Sequence, residues 1–135
     1  VTSGPEIDYL SVDDLLEIAA GVIKGVQIRD VGLLASAAGR PRATAFGVDA
    51  YPGFTAKAAA LLHSLARNHA LADGNKRLAW SATRAFCLLN GRDLHCSVEA
   101  AEAMIVGVAA GELDVPDLVE LLRGYVGPGG YSLRL

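Results

Sequence analysis

Positive charge is in short supply in this chain. Lys and Arg number 12 against 15 Asp and Glu, a net of -3 with His neutral. Nucleic-acid-binding modules usually carry a basic excess, so direct nucleic-acid binding is not expected. Charge of either sign makes up only 20% of the residues, which argues against a disordered chain. Cysteine is almost absent. Cys87 and Cys96 make no disulfide framework and have no metal-ligand spacing around them, so they read as free thiols. Long apolar runs are missing too: each is interrupted by Asp, Arg or Gly, and none qualifies as a membrane span. Residues 1–5 lack a basic region followed by an apolar run, so no signal peptide is expected and the cytoplasm is the expected compartment.

What is present is apolar bulk, 52% of 135 residues, enough for one compact domain with a sizeable core. The periodicity is helical almost throughout. Ser11 followed by Asp14 predicts a capping box, with Leu15, Ile18, Ala19, Val22, Ile23 and Val26 on one face. Gly21 and Gly25 weaken that helix and offer room for a neighbour. Asp30 caps a short helix that ends at Gly39 and Arg40-Pro41. Residues 40–54, with Pro41, Gly47, Pro52 and Gly53 among Phe46, Tyr51 and Phe54, predict a long loop or small hairpin. Such a segment is either a functional lid or a loop pinned to the core.

Thr55 opens an uninterrupted helix to about Asn68. A further helix from about Asn75 to Leu89, apolar around much of its girth, reads as the buried centre of a bundle. Asn90-Gly91 stops it, 92–96 is extended, and Ser97 and Asp114 cap the last two helices, with Leu118, Leu121, Leu122 and Tyr125 inward on the second. The expected architecture is all-α: residues 1–135 as a single compact bundle of about six helices with a central buried helix, a core over about 8–126 and a mobile Gly-rich tail at 127–135.

Between the two long helices, residues 68–80 read Asn-His-Ala-Leu-Ala-Asp-Gly-Asn-Lys-Arg-Leu-Ala-Trp. Gly74 permits a turn with positive φ. The helix that opens at Asn75 offers backbone N–H groups without intrahelical partners and the positive end of a dipole, which together favour an anion. Lys76 and Arg77 add cations where the dipole disfavours them, a local conflict that a bound anion would resolve. Asp73 at the mouth suits Mg²⁺ beside a polyphosphate. His69, four residues earlier, can take a proton from a hydroxyl near neutral pH. Base, metal ligand and phosphate clamps together are the parts of phosphoryl or nucleotidyl transfer. Taken singly, the same residues make an ordinary Asp-Gly-Asn turn, a solvated Lys-Arg pair and a helix-capping His.

His69 through Arg77 resembles the signature of the Fic/Doc (Fido) superfamily, His-x-Phe-x-(Asp/Glu)-(Gly/Ala)-Asn-(Gly/Lys)-Arg, at six functional positions in order. The stretch from Ile28 to Leu34 and the run from Tyr51 to Leu65 are also similar to Doc (death-on-curing) toxins, so the resemblance covers roughly residues 8–126. It implies His69 as the general base, Asp73 as the Mg²⁺ ligand, and Gly74, Asn75, Lys76 and Arg77 as the phosphate site for ATP. Lys76 stands where AMP-transferring Fic enzymes have a second Gly, and Trp80 where they have a second Arg. That pattern points to the Doc branch, whose members are kinases of the elongation factor EF-Tu and toxins of type II toxin-antitoxin systems. The resemblance thus implies a protein kinase that blocks translation, with a translation factor as target and a Phd-like antitoxin as partner. AMP transfer to a protein hydroxyl and a catalytically weakened binding domain remain the alternatives. Residues 40–54 would correspond to the flap that docks target polypeptide.

The sequence departs from the signature at Leu71, where the family has Phe, and at Ala70, a frequent Pro. Leu fills less of that volume. No (Ser/Thr)-x-x-x-Glu-(Gly/Asn) inhibitory motif occurs, as Leu15 follows Ser11 and Ala101 follows Ser97 at the fourth place, so restraint is expected from another chain. His63, six residues before His69, falls on a different helical face and reads as a structural or surface residue, and His95 with Cys96 gives too few ligands for a metal. Trp80 reads as a packing residue.

Overall fold

The first helix, α1 (Val12–Val22), starts where Ser11 and Asp14 close the expected capping box. The computed structural model describes residues 6–129. The helix stops at Val22, so Ile23 and Val26 lie beyond it. The space that a Cβ at Gly21 or Gly25 would occupy is open, and no helix approaches there. Asp30 caps α2 (Val31–Gly39) by accepting from the Leu33 N–H at 3.3 Å. A 3-10 turn, Arg40–Arg42, then leads into a hairpin of β1 (Thr44–Ala45) and β2 (Val48–Asp49). Of the three aromatics in this region, Phe54 is buried and Tyr51 half-buried. Phe46 is fully exposed at the hairpin tip, with φ of 55°.

Helix α3 (Phe54–Arg67) is buried at ten of its fourteen positions and packs against α2, α4, α5 and α6. It begins one residue before Thr55, capped by Gly53 at φ 85°. Helix α4 (Asn75–Leu89) presents one buried face through Leu78, Ala79, Ala82, Thr83, Phe86 and Cys87, while Leu88 and Leu89 are exposed. The helix enclosed on nearly all sides is therefore α3, and α4 lies along it. Phe86 stacks on Phe54, ring centroids 4.8 Å apart, and on Tyr9 at 6.1 Å. After α4, the strand β3 (Arg92–Leu94) precedes α5 (Val98–Ala109) and α6 (Val115–Arg123). Leu118 and Leu122 of α6 are buried, but Leu121 is exposed.

The strand β4 (Val126–Pro128) pairs antiparallel with β3, so the Gly-rich segment expected to be mobile from 127 starts as ordered chain; residues 130–135 lie outside the described part. Two remote stretches meet at the Asn90-Gly91 turn. The Asn90 side chain accepts from the Asp8 N–H at 2.8 Å and donates to the Asp8 carbonyl at 2.9 Å, while the Gly129 N–H donates to the Gly91 carbonyl at 3.1 Å. Six helices, with two small strand pairs, make up the described residues. None of these helices is long and apolar enough to cross a membrane.

Candidate functional site

The α3–α4 loop is shaped by its backbone. The Ala70 carbonyl accepts from the N–H groups of Arg29 and Asp30 at 2.8 and 3.0 Å, and the Ala72 N–H donates to the Gln27 carbonyl at 3.0 Å. Leu71 pairs with Ile28 in an isolated bridge. The Asn75 amide completes the hold: its Oδ1 accepts from the Leu71 N–H at 2.9 Å, and its Nδ2 donates to the Leu71 carbonyl at 3.0 Å. Leu71 is fully buried. A Leu in place of the family's Phe thus still plugs the core, and five backbone or amide hydrogen bonds keep the loop's path. The side-chain grip of Asn75 was not visible in the sequence, which offered Asn75 only as part of the anion site.

Burial of Ala70 and Leu71 leaves His69, Ala72 and Asp73 facing out. The His69 imidazole makes no hydrogen bond to the described residues, so both ring nitrogens are available to a ligand. Gly74 adopts φ 90° at the N-cap of α4. A Cβ there would sit 2.6 Å from Ile23 Cδ1, so only glycine fits the turn without displacing that buried side chain. The first intrahelical bond is donated by Leu78 to the Gly74 carbonyl at 2.9 Å. The N–H groups of Asn75, Lys76 and Arg77 precede that ladder and are free for an anion.

His69, Asp73, Gly74, Asn75, Lys76 and Arg77 all line one cleft of about 330 Å³, together with Ala66, Ala72 and Ala109. All six residues picked out in the sequence are therefore brought together. Lys76 is exposed, and Arg77 reaches the Val22 carbonyl only at 3.4 Å, a weak contact that an anion can replace. One oxygen of Asp73 accepts from the Gly74 N–H at 2.9 Å, and the other has no partner among the described residues. A lone carboxylate with one free oxygen beside three N–H groups and two cations fits Mg²⁺ shared with phosphates, which takes one or two protein carboxylates. It does not fit an all-protein cage, and no cluster of three or more potential ligands occurs among the described residues.

Lys76 and Arg77 also line a second, larger cleft of about 680 Å³ that continues between α4 and α5. Trp80, expected to pack, is half-buried: it lies against the core and also lines this cleft. The remaining histidines are structural. His63 Nδ1 lies 3.0 Å from Arg40 Nη1, and His95 Nε2 lies 3.0 Å from the Pro128 carbonyl. Burial pushes the Cys87 thiol up to about 12, with the Asp93 charge adding to the effect, and burial also raises Cys96. Neither thiol is poised as a nucleophile.

The sequence model of the Fic/DOC family matches residues 9–87. The chain is also 46% identical over 121 residues to Toxin Doc of Mycolicibacterium smegmatis (strain ATCC 700084 / mc(2)155), a match covering 87% of this chain and 93% of the relative. The family match takes in α1 through most of α4, including the whole His69–Arg77 loop and the Leu71 plug that holds it. The chain belongs to the Fic/DOC family.

Proposed function

We propose that this chain is the toxin of a toxin-antitoxin pair, acting in the cytoplasm as an ATP-dependent protein kinase on a translation factor of the EF-Tu type and neutralised by a Phd-like antitoxin. The observation that carries the transferase reading is the single cleft in which a free imidazole, three free helix-terminal N–H groups and two cations face one another. The similarity to Toxin Doc supports the toxin reading. Lys76 and Trp80, in place of the Gly and Arg of AMP-transferring relatives, favour phosphate transfer over AMP transfer.

In this reading His69 removes the proton from the target hydroxyl. That oxygen forms a bond to the γ-phosphorus as the bond to the β–γ bridging oxygen breaks, and ADP leaves. The N–H groups of Asn75, Lys76 and Arg77 and the two side-chain cations stabilise the charge on the transferring group. Asp73 would hold Mg²⁺, which supplies further neutralisation of the phosphates. The buried Leu71 and the Asn75 amide fix the spacing between base and anion site before any ligand enters.

The test is incubation with EF-Tu and Mg²⁺-ATP labelled at either the α- or the γ-phosphate. Transfer of γ-label alone is expected, and its loss in His69→Ala with the fold retained. Transfer of α-label would replace this reading with AMP transfer, and no transfer of either would leave a binding domain.

A further inference from the structure

The phosphate turn has a support that stands outside its cleft. Gly74 carries two things at once. Its N–H holds one oxygen of Asp73 at 2.9 Å, and its carbonyl takes the first bond of α4, donated by Leu78, also at 2.9 Å. A shift of Gly74 therefore moves the carboxylate and the free N–H groups of Asn75, Lys76 and Arg77 together. Ile23, the residue after α1, fills the place where a side chain at 74 would start. Its Cδ1, Cγ1 and Cγ2 lie 2.6, 3.0 and 3.3 Å from the position of a Cβ there. Ile23 is buried and does not line the cleft, and its N–H ties it to α1 by donating to the Ala19 carbonyl at 2.9 Å. A β-branched chain of this kind is stiff about χ1. The same end of α1 offers the Val22 carbonyl to Arg77.

We propose that Ile23 is a positioning residue for phosphate binding: it holds Gly74 in the left-handed turn that aims the N–H groups of α4 and the Asp73 carboxylate. This rests on the phosphotransfer reading above. The family signature admits Gly or Ala at this place, so a methyl is compatible with such a turn. In this chain the space of that methyl is taken by Ile23. The apolar bulk that an Ala would supply from the turn itself comes here from α1, and positions 23 and 74 share one volume. A methyl added at 74 pushes against Ile23 and displaces the turn. Bulk removed at 23 leaves the turn without its stop, because interiors pack without voids and a glycine by itself permits many conformations. Changing both at once restores the contact. A residue that only filled the core would add stability and leave the aim of the turn alone.

Binding of inorganic tripolyphosphate and of ATP, both with Mg²⁺, is measured by calorimetry for the parent, Ile23→Ala, Gly74→Ala and the double variant, at a temperature where circular dichroism shows each folded. Each single change is expected to weaken tripolyphosphate about tenfold, a coupling usual for residues in contact. The double variant should bind better than either single one, because the new methyl enters the space that Ile23 has left; the positive φ at 74 keeps it short of the parent. Ile23→Val removes only the nearest atom, Cδ1, keeps the fold and should show a smaller loss. Parent-like affinity in Ile23→Ala and Ile23→Val, with only the melting temperature lowered, makes Ile23 an ordinary core residue and overturns the proposal. A double variant that loses the product of the single losses, about a hundredfold, overturns it as well, since the two positions would then act independently. If the parent binds neither ligand, the phosphotransfer reading fails and takes the proposal with it.

Discussion

Asn75 answers two demands with one side chain. Its backbone N–H stays free at the start of α4, while its amide grips both polar groups of Leu71. Asn75→Ala would leave a buried N–H and C=O without partners. The expected loss is about 1–3 kcal/mol of stability, read as a lower urea midpoint. Asn75→Asp keeps the acceptor for the Leu71 N–H and should lose less. Had the amide turned instead to the cleft, both variants would melt like the parent and only ligand affinity would fall. His63 titrates against its surroundings. Burial first, then the Arg40 charge, hold it below the ordinary 6.5; Asp114 pulls upward and Arg67 downward. The folded chain therefore takes up this proton at lower pH than the unfolded chain does. The associated stability is whole above 6.5 and is lost as pH falls toward the lowered value. Urea midpoints measured on both sides of that pH should fall on the acid side, with a smaller fall in His63→Gln; identical pH slopes in the two proteins would place the sensitivity elsewhere.

At the scale of elements, the hairpin is tied to α3 from both flanks. Arg40 donates to Tyr51 Oη at 2.8 Å and to Ser64 Oγ at 2.9 Å, and its guanidinium lies 5.3 Å from the Tyr51 ring centroid. Lys57, only 2% exposed, donates to Asp49 Oδ2 at 3.0 Å and to the Tyr51 carbonyl at 2.7 Å. Removing one partner of an ion pair is costly when it strands the other charge in the core, but the Asp49 side chain is 53% exposed and stays solvated without Lys57. Lys57→Met should therefore leave the melting temperature nearly unchanged while the amides of residues 44–49 exchange faster with deuterium. Slower or unchanged exchange would show that the hairpin holds its own shape. These ties explain what the sequence revealed and what it withheld. The caps at Ser11, Asp30, Ser97 and Asp114 were legible because capping is a matter of residues three apart. The Lys57 and Arg40 tethers join residues 6 to 24 apart, and no local pattern announces them. The β3–β4 pair was hidden for the same reason: Val126 meets Leu94 across two intervening helices.

For the whole molecule, one core decides cooperativity. Phe86, 1% exposed and stacked between Phe54 and Tyr9, links α4, α3 and the lead-in to α1. Phe86→Ala should cost about 3–5 kcal/mol, a large share of the roughly 5–15 kcal/mol typical of a domain, with tryptophan emission and circular dichroism still following one transition. Separate transitions would divide the bundle into independent units. The site was more legible than its support. Its six residues lie within nine positions of sequence, so their convergence needed only one turn to be read correctly. The α4–α5 cleft needed the packing angle of two helices, which a single sequence does not contain. The meeting of Asp8 and Gly129 at the Asn90-Gly91 turn has a topological meaning. Between these two residues the chain runs almost as a ring, so the order in which its helices are synthesised is not what defines the bundle. A circularly permuted chain, with residues 8 and 129 joined by a short linker and opened at the exposed Phe46-Gly47 tip, would carry every contact around His69 unchanged.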